Sequence, residues 1–267
     1  MNRHFKLVLS KLIVLSLMIF LLFISSVNGH AADRDFYQIR IYRLDSKAQE
    51  LRVDRYLKEA FIPALHRAGI EKIGVFKPIE SDTVSGNIII VWIPFKSLEQ
   101  FEGLPENLRN DAEYLTAGKD YIDAAYNNPP YFRIESILLK AFSEMPHFEV
   151  PQFSTLPRER IYELRSYQSA TEKLYHLKVE MFNEGGEVDL FKRLGFNPMF
   201  FAEVISGSTM PNLMYMTTFS DMASHDEHWD TFINHPDWKT MSGLAKYKNT
   251  VSRAEVYLLH PTDYSDM

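Results

Sequence analysis

The sequence predicts an α+β protein made of two tandem β-α-β-β-α-β units that close on each other within one chain. Three observations lead there. Landmark segments recur in the same order about 125 residues apart, the stretches between them switch between strand-like and helix-like apolar periods, and the length supplies material for two cores. Tyr37-Gln38-Ile39-Arg40-Ile41-Tyr42 returns as Tyr162-Glu163-Leu164-Arg165-Ser166-Tyr167. Leu65 to Gly69 is echoed by Phe191 to Gly195, and Asn87 to Phe95 by Asn212 to Phe219. Finally Arg133, Glu135, Leu138 and Leu139 recur as Arg253, Glu255, Leu258 and Leu259.

The elements follow in order. Residues 36–44 alternate between two faces, as a strand does. Residues 46–68 place Leu51, Tyr56, Leu57, Ala60, Phe61, Ala64 and Leu65 at helical spacing, and Gly69 supplies the stop. Residues 70–78 and 86–95 read as strands joined by a turn at 81–86. Ser97-Leu98-Glu99-Gln100 opens a second helix that continues in pieces to Tyr126. Asn127-Asn128-Pro129-Pro130 breaks it before a fourth strand at 131–140. The second copy repeats the series: strand 160–168, helix about 170–193, strands 197–205 and 212–219, helices within 221–248, strand 251–260. Between the copies, residues 142–157 hold Pro146, Pro151 and Pro157 and read as a linker. The expected division is a signal peptide at 1–31, a first unit at 32–141 and a second at 158–267.

That order is the split β-α-β, or ferredoxin-like, unit. It puts both helices on one face of a sheet and leaves the other face bare. Two such units cover each other by meeting face to face, with the helices outside.

Bulk properties narrow the setting. Arg3 and Lys6 precede an apolar run from Leu12 to Ile24, followed by small residues around Gly29, Ala31 and Ala32. This reads as a cleaved signal peptide, because the run falls short of the roughly 20 residues a bilayer core needs; the alternative is an uncleaved N-terminal anchor counted from Leu7 across Lys11. The expected location is therefore exported, periplasmic or secreted, with no stable membrane span after cleavage. Cleavage takes Arg3, Lys6 and Lys11 from the 29 basic residues and none from the 35 acidic ones, so the mature chain carries about −9. No basic block survives, which argues against nucleic acid as a partner. The chain has no cysteine, so stability rests on packing rather than disulfides.

The run Ile161 to Tyr167, the helix ending at Gly195, and Asn212 to Phe219 followed by Asp221 and Met222 resemble the NIPSNAP domain. The segment Trp229 to Lys239, with its Pro236-Asp237-Trp238, fits that family too. The resemblance is looser over 36–140, where Leu104-Pro105-Glu106 stands in place of Pro-Asp-Trp. It implies the dimeric α/β-barrel superfamily, here as an intramolecular pseudo-dimer. That superfamily includes cofactor-free monooxygenases, haem-dependent chlorite dismutases and small-molecule isomerases or lyases. NIPSNAP domains lack an agreed catalytic set, so no catalytic residue is carried over. No axial histidine for haem can be argued, and no cofactor or metal ligand is assigned.

Candidate sites have two readings each. His176, Glu180, Glu184 and Glu187 fall at one-face helical spacing, either an acid–base or metal-binding stripe or a solvated face with Lys173 and Lys178 for pairing. Gly185-Gly186 interrupts that helix and makes Asn183 to Glu187 the most unusual local sequence. His66 near the end of the first helix either complements the helix dipole or lines a pocket. Arg40 and Tyr42 share one side of their strand, as do Arg165 and Tyr167. They either face the barrel interior as a ligand site or bridge to Glu135 and Glu255 on neighbouring strands. His225, His228 and His235 form a metal pair or, more simply, a polar helix face. Asn183 to Glu187 and the histidine-rich 225–238 belong to the second copy alone, and chemistry is expected in that asymmetry. The expected function is binding of a small organic molecule in or beside the barrel, with cofactor-independent or metal-assisted catalysis left open. The rival is a non-catalytic protein-interaction or assembly module, and a homo-oligomer is compatible with both.

Overall fold

The computed structural model describes residues 33–80 and 86–267, and Arg34–Met267 forms one compact unit. The expected signal segment and most of the turn at 81–86 lie outside the described residues. Eight strands are present: β1 (Phe36–Arg43), β2 (Gly74–Pro78), β3 (Ile88–Phe95), β4 (Arg133–Ala141), β5 (Ile161–Gln168), β6 (Phe200–Ser206), β7 (Asn212–Phe219) and β8 (Arg253–Pro261). They close into an antiparallel barrel in the order β1-β3-β2-β8-β5-β7-β6-β4. Each half contributes the same run, β4-β1-β3-β2 and β8-β5-β7-β6. The joints are short: Phe76 opposite Pro261 to Pro78 opposite Leu259, and Leu139 opposite Val204 to Ala141 opposite Ala202.

Alternation decides what faces inward. Tyr37, Ile39 and Ile41 of β1 and Tyr162 and Leu164 of β5 join Trp92, Phe76, Phe200 and Met216 in a core shared by both halves. Trp92 and Phe200 stack with ring centroids 5.8 Å apart, and Tyr37 lies 5.2 Å from each. The barrel is therefore filled. The segment between the halves closes one end: Phe148 packs edge-on against Trp92, and Phe153 against Tyr162. The linker is thus a plug as well as a connection.

The helices lie outside. In the first half, α1 (Lys47–Tyr56) runs through a π-helical turn (Leu57–Phe61) into α2 (Ile62–Arg67). Pro63 lacks the N–H that an α-helical ladder needs, and the wide turn lies just before it. The longer α3 (Leu98–Asn110) and the short α4 (Ala112–Ala117) and α5 (Lys119–Ile122) follow. In the second half, the helix expected over 170–193 splits into α6 (Glu172–Phe182) and α7 (Glu187–Arg193). Gly186 sits at φ +88, and a Cβ on Gly185 would meet the Met181 carbonyl at 2.5 Å, so the turn between them requires the glycine pair. Next come α8 (Met222–Asn234) and α9 (Pro236–Gly243), then a 3₁₀ turn at Ala245–Tyr247. No helix among the described residues is long and apolar enough to cross a membrane.

The C-terminal tail binds the two halves together. Thr262 and Asp266 donate backbone N–H groups to Val75 and Ile73, beside β2. Asp266 Oδ2 accepts from the Ile73 N–H at 2.8 Å and lies 2.9 Å from His66 Nε2. Because the shared aromatic core carries the closure, Trp92→Ala is expected to cost about 3–5 kcal/mol. Chemical denaturation followed by circular dichroism measures this; a loss below 1 kcal/mol would contradict a filled barrel.

Candidate functional site

With the barrel interior occupied, open space lies on the helix side of the sheet. In the second half a cavity of about 360 Å³ separates β5 and β7 from α6 to α9. Its walls are aromatic: Phe191, Tyr215, Trp229, Phe232 and Trp238, with Ile233 half-exposed at the rim. Its polar residues are Arg165, Tyr167, Lys178 and Glu187.

Strand parity brings Glu163, Arg165 and Tyr167 to the outer face of β5. Arg165 donates from Nε at 2.8 Å to Glu163 Oε1 and from Nη1 at 3.0 Å to the Tyr167 hydroxyl. Its guanidinium lies 3.7 Å from the Trp229 ring centre, and the Trp229 indole N–H donates at 2.7 Å to Glu163 Oε2. Tyr215 donates at 2.8 Å to Tyr167. Burial pushes Tyr215 well above the usual phenol range, so it stays a donor. Burial works against the Arg165 charge, yet Tyr215, Tyr167 and Glu163 around it raise its pKa.

Across the cavity, Lys178 of α6 and Glu187 of α7 form an ion pair at 2.8 Å, their side chains 5% and 3% exposed. Lys178 also touches Met181 Sδ at 3.4 Å and lies 4.6 Å over the Phe182 ring. Burial raises the Glu187 pKa, and the charges of Lys178 and Arg165 only partly oppose that. His225 of α8 stands behind the site with Nε2 3.5 Å from Glu163 and Nδ1 2.8 Å from Asp226. The first is an ion pair rather than an aligned hydrogen bond, since Nε2 is buried without a hydrogen-bond partner.

The first half fills the equivalent layer differently. Counting from the N-caps Ser46 and Thr171, Val53 stands where Lys178 does; counting back from Gly69 and Gly195, Phe61 stands where Glu187 does. Gln38 replaces Glu163. Arg40 donates to Gln38 at 3.0 Å and lies 4.9 Å over Phe61, while Tyr42 is buried nearby and Tyr56 and Tyr121 stack at 3.6 Å. Aromatic packing takes the place of the charged pair.

Of the residues singled out from sequence, the structure brings Arg165, Tyr167 and Glu187 together. Neither expected reading of the Arg–Tyr pairs holds: both pairs point outward beneath the helices, because Tyr37, Ile39, Tyr162 and Leu164 take the inner face. The strand bridges differ too, for Glu135 pairs with Arg43 and Glu255 with Arg253. The glutamate stripe does not form, since the Gly185-Gly186 turn resets the helical phase. His176 and Glu184 are exposed, and Glu180 binds Lys246 and Tyr247. Asn183 is structural, accepting from Ser143 Oγ and the Glu144 N–H. His66 pins the tail through Asp266 and lines no described cavity. His225 belongs to the Glu163 network, whereas His228 bonds the Ser224 carbonyl and His235 caps α9. Among the described residues no group of three or more His, Asp or Glu is placed to hold a metal ion.

Glu163, Trp229 and Trp238 are not among the candidates read from sequence, and Lys178 appears there only as a pairing partner on a solvated face. The available signal was a lysine in the apolar phase of Tyr175 and Phe182, where the first copy has a valine. A smaller hollow of about 180 Å³ at the other end is lined by Asp35, Lys72, Lys96 and Phe148. Its buried carboxylate is committed, with His147 Nδ1 and the Phe148 N–H both on Asp35.

The NIPSNAP family model matches residues 162–266. No curated protein matches the chain. Solved structures share the barrel at low identity. A "putative monooxygenase" from Fusobacterium nucleatum is 8% identical over 86% of this chain and 93% of its own, with TM-score 0.54. Another from Lactobacillus acidophilus is 8% identical over 85% and 94%, TM-score 0.52. An anthrone oxidase-like protein is 9% identical over 87% and 93%, TM-score 0.51. These likenesses establish the dimeric α/β-barrel fold.

The buried pair makes a graded prediction. Lys178→Met strands the Glu187 carboxylate and is expected to cost about 3–5 kcal/mol, whereas Lys178→Val with Glu187→Phe, the first copy's own residues, should be neutral or stabilising by about 1–4 kcal/mol. Denaturant midpoints of the three proteins decide it. Burial opposes the charged form of His225, but Glu163 and Asp226 outweigh it and raise its pKa above 6.5. Its contribution to stability is therefore full below 6.5 and fades as pH rises through the raised value. Burial likewise opposes Glu163, which His225 and Arg165 nevertheless lower below 4.5, so its contribution fades only on stronger acidification. Glu163→Gln should shift the His225 titration, read by NMR, toward lower pH.

Proposed function

We propose that the second half, whose residues 162–266 match the NIPSNAP family model, binds a small planar organic molecule in the aromatic-walled cavity that holds the buried Lys178–Glu187 pair. The observation that carries the reading is the contrast between the halves. Equivalent positions hold Val53 and Phe61 in one and a buried Lys178–Glu187 pair in the other. A buried ion pair in place of well-packed apolar residues is stability-neutral at best, so its presence fits a role other than packing. The size agrees: a cavity of about 150 Å³ holds benzene, so one of about 360 Å³ has room for two fused rings.

Export is part of the proposal, resting on the charged start, apolar run and small-residue zone of residues 1–31. Intact mass of the protein isolated from its own cells should correspond to loss of that segment; a full-length mass would remove the idea.

Two of the three tryptophans, Trp229 and Trp238, wall the cavity, while Trp92 lies in the barrel. Titration with 2-naphthol should therefore quench most of the tryptophan emission in a saturable way. Native mass spectrometry should show one small molecule per chain. If emission and mass are both unchanged at millimolar 2-naphthol and at millimolar 2-naphthoate, the cavity is not a ligand site, and the interaction-module reading takes its place.

A further inference from the structure

We propose that the ligand is an organic anion, an aromatic carboxylate or phenolate, whose charged oxygen is held by the Tyr167 hydroxyl proton between Arg165 and Lys178. The inference rests on the cavity being a ligand site and adds the chemistry that it selects.

Hydrogen-bond accounting carries it. A phenol oxygen has two acceptor positions and one proton. At Tyr167 both acceptor positions are occupied, by Arg165 Nη1 at 3.0 Å and by the Tyr215 hydroxyl at 2.8 Å. Among the described residues the Tyr167 proton has no acceptor, and the residue lines the cavity. A phenol that accepts from a guanidinium is a polarised donor, suited to an oxygen carrying negative charge. Lys178 also has donors to spare: Glu187 and Met181 take two of its three protons. Arg165 places its bonds on Glu163 and Tyr167 and keeps two of its five N–H groups.

The charges lining the cavity are unequal. Arg165 and Lys178 both line it, but of their two carboxylate partners only Glu187 does; Glu163 lies behind the guanidinium, under Trp229 and His225. Glu187 is also the group whose charge burial disfavours. The polar end therefore offers donors to a ligand, and the aromatic walls offer planar faces. A neutral hydrocarbon would leave the Tyr167 proton buried without an acceptor, an arrangement that costs free energy.

The test compares 2-naphthoate with its methyl ester by calorimetry, using the mature chain, Tyr167→Phe, and the double variant Lys178→Val with Glu187→Phe. The native protein should bind naphthoate at least tenfold more tightly than the ester. Tyr167→Phe should lower naphthoate affinity about tenfold, and the double variant, expected to keep a packed fold, should reduce the preference without removing it, because Arg165 and Tyr167 remain. Equal binding of acid and ester by the native protein, or a preference untouched in both variants, overturns the anion assignment while leaving the cavity as a ligand site. Binding of neither compound removes both the site and this inference.

Discussion

A sheet with helices on one face only has to bury its other face, and that requirement organises this molecule. The first half has its helices over Tyr42, Val75 and Val91 and presents Tyr37, Ile39 and Trp92 on the opposite side. The second half does the same with Tyr162, Leu164 and Phe200. Neither face can stay in water, because each carries large aromatic area worth roughly 25 cal/mol per Å² on burial. Closing them on each other joins β2 to β8 and β4 to β6, so that no strand of the barrel is left with an unpaired edge. One chain supplies both sheets of the closed barrel, and the connecting segment doubles as an end plug.

Closure by aromatic side chains has a consequence for function. A barrel core packed with Tyr37, Trp92 and Phe200 contrasts with the cavity described between sheet and helices. Both halves have that layer, yet they use it differently. In the first, a continuous helix widened by a π turn brings Phe61 beneath Arg40. In the second, the glycine turn restarts the helix at Glu187 and aims its carboxylate at Lys178. The same outward Arg–Tyr pair thus sits against packed aromatics in one half and against a cavity in the other.

Much of this architecture was legible in the sequence because strand parity and helix stops are local properties. The recurrence of Tyr37 to Tyr42 and of Gly69 gave strand and helix positions within a few residues, and the face-to-face closure followed. What parity cannot supply is which of two faces is the inner one, since β1 carries large side chains on both. That is why Arg40 and Arg165 were open to an inward reading. The glutamate stripe was misread for a different reason. It assumed one unbroken helical phase across Gly185-Gly186, and Gly186 at φ +88 resets it. Lys178 is read from sequence as a pairing partner on a solvated face because a lysine reads as solvent-facing by default, although its phase with Tyr175 and Phe182 places it inside.

The comparison of copies is a stronger guide to the site than any single residue type. Shared features such as the Arg–Tyr strand pair and the closing glycine serve both halves alike and so belong to the scaffold. Differences at equivalent buried positions have no such explanation, because the scaffold has already shown that Val53 and Phe61 satisfy it. The Lys178–Glu187 pair, the Glu163 in place of Gln38 and the Trp229 over Arg165 all differ in the same direction, toward charged groups and the polar partners that hold them in and behind one cavity. Buried charge carries a desolvation cost that packing alone gives no reason to bear. Concentrating that cost around a single open space is what separates the second half from the first, and it ties the polar chemistry to whatever enters that space.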